Sequence, residues 1–187
     1  MNRIFTLLTC TILSLITHSA VAQTTNIYIK ALDANGVLIQ GGAQNARHAN
    51  EIDATGLGQD NTGCSNNLPG GPGACGGKLG NFIFNMPINQ SLPILDKQLF
   101  MGTALKSVDI VFERAGGTAQ PIQYYKIHLE TVFVTHITNS GDNSSAPTVQ
   151  VELAAGKAQW TYTPQSPSGQ AGTPVSFGWD AIHNTSF

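Results

Sequence analysis

Apolar and polar residues alternate with a period of two over much of this chain, the spacing of strands that bury one face. In NIYIKALD, Ile27, Ile29 and Ala31 share one face and Tyr28, Lys30 and Leu32 the other, ahead of an Asn35-Gly36 turn. SVDIVFE sets Val108, Ile110 and Phe112 together and ends in Ala115-Gly116-Gly117. YYKIHLETVFV opposes Tyr125, Ile127 and Leu129 to Lys126, His128 and Glu130. It then turns apolar on both faces from Val132 to Val134, as a strand that starts half exposed and finishes fully buried would. TVQVEL, AQWTY and PVSFGW continue the alternation, with turns predicted at Gly141-Asp142-Asn143, Ala155-Gly156 and Ser166 to Gly172. EIDATGLG and NFIFNMPI supply two earlier strands.

One segment has a different period. In QSLPILDKQLFMG the apolar residues Leu92, Leu95, Leu99 and Phe100 fall at i, i+3, i+7 and i+8, which is one face of a helix. Ser91 is placed to cap its start, Pro93 sits in the first turn where a missing N–H costs nothing, and Gly102 supplies the stop. The fold class is therefore mainly β, a sandwich or small barrel of about eight strands carrying one short α-helix. No internal repeat or linker divides the chain, so residues 23–187 form one domain, interrupted by a Gly/Pro-rich loop over 58–78.

The first residues change the setting. MNRIFTLLTCTILSLITHSAVAQ has a single positive charge at Arg3, an apolar run from Ile4 to about Ile16, and Ala20-Val21-Ala22 before Gln23. That is the layout of a secretory signal peptide over residues 1–22, with cleavage between Ala22 and Gln23. The apolar run is well short of the roughly 20 residues a spanning helix requires. Without Arg3, eight basic residues face eleven acidic ones, for a net charge of about −3. Charged residues make up only 11% of the chain and are scattered, which argues against phosphate-driven binding of nucleic acid, and no second hydrophobic stretch is long enough to cross a bilayer, which argues against stable membrane insertion. The expected location is the periplasm or the extracellular space.

Export also gives the cysteines a role. After cleavage only Cys64 and Cys75 remain, at the two ends of TGCSNNLPGGPGACGG, and an oxidising compartment favours their pairing as a disulfide. Closing so short a loop contributes roughly 3 kcal/mol by the chain-entropy estimate. The staple orders a segment with no core of its own. A zinc site is not indicated, because the tight C-x2-C spacing and a neighbouring histidine are both absent.

Candidate chemistry is sparse. His48, Glu51 and Asp53 in RHANEID are read as a solvated strand face, and His128 and His136 stand too far apart along one strand to share a metal. There is no G-x-S-x-G elbow, and ATGLGQD lacks the lysine and helix of a phosphate loop. Trp160, Tyr162, Phe177 and Trp179 recur at period two, a pattern read as core or subunit interface rather than a ligand-stacking platform. No enzyme activity, cofactor or metal is expected.

Taken in order, the elements resemble the haemolysin-coregulated protein (Hcp) family of type VI secretion. The matching stretches are IYIK, HANEID, GGKLGNFIFNMPI, the helix from SLPILDKQLF, DIVFERAGG leading into QYYKIHLETVFVTHI, VQVELAAGKAQWTYTPQ and PVSFGWDAIHN. The resemblance implies a compact β-barrel of two sheets with a flanking helix, and homohexameric rings that stack into a tube and carry small effectors. In that family the loop after the second strand projects from the ring and takes part in stacking, the place filled here by the cysteine loop. The leader departs from the family pattern, since tube subunits assemble in the cytoplasm. It points to a ring, short tube or secreted interaction protein working beyond the inner membrane, or to a binding module that forms no tube.

Overall fold

The computed structural model describes residues 24–63, 77–114, 120–143, 146–167 and 169–187. The expected cleavage site at Ala22 and Gln23, and the expected pair Cys64 and Cys75, lie outside the described residues.

Nine strands and one helix follow one another along these residues: β1 (Thr25–Leu32), β2 (Ile52–Ala54), β3 (Gly56–Gln59), β4 (Phe82–Pro87), α1 (Leu92–Met101), β5 (Leu105–Arg114), β6 (Ile122–Ser140), β7 (Thr148–Tyr162), β8 (Val175–Asp180) and β9 (Thr185–Ser186). Pairing is antiparallel throughout, in the order β2-β1-β5-β6-β7-β4-β3, with β8 on β7 and β9 on β8. The path closes on itself. Only Thr55 separates β2 from β3, and its amide donates to the Asn85 carbonyl of β4 at 2.8 Å, so the strand ending one side of the path continues into the strand ending the other. The two expected sheets are thus two sectors of one curled sheet, a barrel architecture that removes most free edges.

The long β6–β7 hairpin joins the sectors. AQWTY and TVQVEL, read as separate strands around an Ala155-Gly156 turn, form one strand, β7. Thr131 and Gly156 mark a corner in it. Leu129 and Val132 both face the core, as do Ala158 and Ala155 opposite them, and Thr131, one of the two exposed residues between Leu129 and Val132, adopts φ 52°. A side chain at position 156 would press on Thr131 and on Ile182, so glycine here seats a neighbour instead of reversing the chain. The same corner explains why β6 does not finish fully buried: Val132 and Val134 face inward while Phe133 remains 41% exposed.

The core lies between the sectors. Ile29, Ile110, Ile127 and Leu129 from one side meet Phe82, Phe84, Met86, Val151 and Leu153 from the other, with Ile52 at the closure. Each such side chain, fully buried, contributes about 1.5–3 kcal/mol from removal of apolar surface. Helix α1 adds Leu92 and Leu95 to this core, with Leu99 packed partly against it. Gly102 ends the helix in the left-handed region at φ 59°, as its position predicts. Two details differ. Ser91 makes no side-chain cap bond, because its hydroxyl donates to Asn89 Oδ1 at 2.7 Å. Phe100 is 86% exposed, because it falls beyond the last buried turn of the helix.

Candidate functional site

The inner face of the sheet runs on past the point where the barrel closes. Its rows can be followed through the register: Ile29, Ile110, Ile127, Trp160 and Phe177 in one, and Phe112, Tyr125, Tyr162 and Val175 in the next. Burial is complete at β1, β5 and β6 in the first row and is lost toward β8, because β3 and β4 cover only the other half of β7. Tyr162, Val175 and Phe177 are 47%, 70% and 54% exposed, a contiguous apolar surface built from residues of core character. The aromatic stripe is therefore divided: Trp160 packs against the core, Trp179 is half-buried, and Tyr162 and Phe177 stand at the surface of the chain.

Its rings are held in place. Trp160 and Phe177 stack with centroids 5.9 Å apart and planes 17° from parallel, and Trp160 Nε1 donates to Gln59 Oε1 at 3.3 Å. Trp160, Phe177 and Trp179 form one wall of an apolar groove of about 290 Å³. The opposite wall is the stem of the long loop, residues 61–63 and 77–79. Thr62 and Lys78 pair through both backbone amides, at 3.1 and 2.8 Å, and Asn61 Oδ1 accepts from Gly80 N at 3.0 Å. A Cβ at position 80 would overlap the Asp60 carbonyl, so this close approach requires glycine. Two features noted separately in the sequence, the loop and the aromatic stripe, thus meet at the loop's root.

The C-terminal residues finish the β8 edge. Asp180 Oδ1 accepts from the amides of Ile182 and His183, both at 3.0 Å, and Oδ2 lies 2.8 Å from His183 Nδ1 and 3.4 Å from Lys157 Nζ. The His183 bond is the main cause that holds the Asp180 carboxyl down at about 2, against desolvation, which would raise it. With the folded value below the unfolded one near 3.9, this contribution is complete above about pH 4 and is lost as pH falls toward 2. The backbone resonances of 181–187 are expected to move to random-coil positions over that window while β6 and β7 stay folded. Asp180→Asn should abolish the transition, and coincident loss of all strands would contradict it.

RHANEID is not a solvated strand face. His48 is buried, precedes β2 in the 40–51 loop, and stacks flat on Tyr28 with centroids 4.2 Å apart. Its Nδ1 lies 2.7 Å from Glu51 Oε2 and its Nε2 3.0 Å from Glu113 Oε1, while Arg47 Nη2 reaches the same Glu113 oxygen at 3.1 Å. The loop folds back over the outer face of β1 and β5, a long-range event that local spacing does not encode. Asp53 stays apart on β2, its carboxyl raised by burial against the attraction of His48. His128 and His136 are used separately: His128 Nδ1 lies 2.7 Å from Asp109 Oδ1, and His136 Nε2 lies 3.0 Å from Thr138 Oγ1. Burial would raise Asp109, but the bonds to His128 and Lys126 outweigh it and lower the carboxyl. No group of three metal-ligating side chains converges among the described residues, and no helix there is long and apolar enough to cross a membrane.

Three comparisons place this architecture. Hcp1 from Salmonella typhimurium superposes with a TM-score of 0.71 over 87% of this chain and 99% of its own, at 22% identity. A type VI secretion system effector from Yersinia pestis gives 0.63 over 82% and 98%, at 20% identity. Secreted protein Hcp3 from Pseudomonas aeruginosa gives 0.61 over 84% and 98%, at 18% identity. At these identities the likeness establishes the fold alone. No curated protein matches the chain. The sequence itself carries the family: the description "Type VI secretion system effector, Hcp" matches residues 28–162, from β1 to the end of β7, and this chain belongs to the Hcp family of type VI secretion.

Proposed function

We propose that this chain is a ring-forming structural subunit of the Hcp type, exported by a leader cleaved between Ala22 and Gln23, whose homohexameric rings stack or carry effectors beyond the inner membrane. The observation that carries the reading is the apolar face of Tyr162, Val175 and Phe177 at the open end of the barrel. A monomer exposing three adjacent core-type side chains gains by burying them, and a closed ring of identical copies buries the same patch in every subunit. The site offers stacked rings and apolar surface, which suits a structural role. Light scattering on the purified mature chain tests it: six subunits support the reading, and a monomer favours a secreted binding module of the same fold.

The Cys64–Cys75 disulfide belongs to this proposal. The stem at Thr62 and Lys78 fixes the two ends of the loop, and a bond between the cysteines would hold the excursion beyond it rigid for contact with the next ring or a partner. Intact mass without reductant is expected two hydrogens below the reduced value. The double variant Cys64→Ser, Cys75→Ser is expected to keep its rings and to lose stacking or partner binding. Unchanged stacking would remove the loop from that role.

A further inference from the structure

The outer edge of β8 is covered over only half its length. Ser186 pairs with Trp179 and Thr185 with Asp180, and Phe187 N donates to the Gly178 carbonyl at 3.1 Å. No strand covers the edge from Val175 to Phe177 among the described residues. The covering segment, 181–187, is exposed throughout and is held by its pairing with β8, by Ala181 N donating to the Gly156 carbonyl at 2.9 Å, and at three further points. Two of those points are glycines. The Ile182 side chain rests over Gly156, and the Phe187 ring lies where a Cβ at Gly178 would be, 2.5 Å from its Cε2. The third is Asp180, which accepts the two amides of the turn.

We propose that residues 181–187 are a strap that guards the β8 edge, and that its release lets a second copy of this chain pair with it, β8 against β8 about a twofold axis. An antiparallel strand is self-complementary in this way, and an open edge beside apolar surface is what natural sheets protect. The apolar face of Tyr162, Val175 and Phe177 adjoins the edge, so a second copy would pair beside the surface proposed above as the ring contact. The second copy as occupant rests on the reading of that face as an assembly surface. The strap itself rests on the glycine seats and the half-covered edge.

Two variants release the strap: deletion of 181–187, and Gly178→Ala with Ile182→Gly, which keeps every backbone group but denies Phe187 and Ile182 their seats. Native mass spectrometry at matched concentration, with circular dichroism confirming the strand signal, is expected to show twice the wild-type assembly mass for each variant that stays folded. The wild type is compared at a concentration where single six-subunit rings predominate over stacked ones, so that doubling reports β8 pairing. If the wild type is a monomer and the released form a dimer, the ring reading fails while the strap stands. Wild-type hexamers with no doubling in the double substitution, whose hydrogen exchange at 181–187 confirms release, overturn the strap and leave the ring intact. Should that variant keep 181–187 protected, the strap is not detachable and the proposal fails as well.

Discussion

Phe177→Glu is expected to dissolve the assembly into single subunits. Phe177 is 54% exposed in the subunit, so a charged side chain there can stay hydrated in the free chain and costs the fold little. In a ring every copy would bury that carboxylate against a neighbour. Leaving one charge unpaired in an apolar contact costs on the order of 3 kcal/mol or more, which weakens each contact by more than about 100-fold. A closed ring multiplies the effect over all its contacts. Sedimentation or light scattering should show monomers whose circular dichroism spectrum keeps the wild-type strand signal, and Val175→Asp should behave the same way. Phe177→Leu, which keeps the apolar area, should leave the ring in place. Intact rings in Phe177→Glu would show that this face is not the subunit contact.

Glu113→Ala is expected to be the most damaging single change to stability. The carboxylate is fully buried on the outer face of β5, and both Arg47 and His48 from the 40–51 loop close on it. Arg47 Nη1 also donates to the Pro121 carbonyl at 2.8 Å, so the cluster ties that loop to the start of β6 as well. Removing one partner from a buried charged cluster costs about 3–5 kcal/mol, because the remaining groups lose their compensation. For a chain of this size that is a fall of roughly 10 °C in the thermal midpoint. Arg47 is partly exposed, so Arg47→Ala should cost less than half as much. A Glu113→Ala midpoint within about 2 °C of wild type would mean that the cluster contributes nothing to holding the loop.

The contrast between what was legible and what was not follows from the range of each signal. β1, β5 and the first half of β6 bury one face, so Ile29, Ile110 and Ile127 announce themselves by alternation alone. Helix α1 carries its own punctuation in Pro93 and Gly102. Gly156 misled because a glycine that seats Ile182 and one that turns the chain are identical in a local window. The decisive neighbour is a residue of the C-terminal strap. His48 and Glu51 misled for a related reason: their burial is made by Tyr28 and Glu113, residues on the nominally outer faces of two other strands. A signal was present in Tyr28, an aromatic on the polar face of β1 that had to be covered by something. The aromatic stripe was legible as a stripe, but only the register of β7 against β8, and the limited reach of β3 and β4, shows that it stands open.

Family membership fixes the kind of protein, and the open apolar face is the feature on which the proposed assembly rests. The most direct test of that account is native mass spectrometry of the protein exported by its own leader, followed by denaturing intact mass without reductant. The account predicts a six-subunit assembly whose subunits begin at Gln23 and are two hydrogens lighter than the reduced chain. A monomer of that same mass would contradict it.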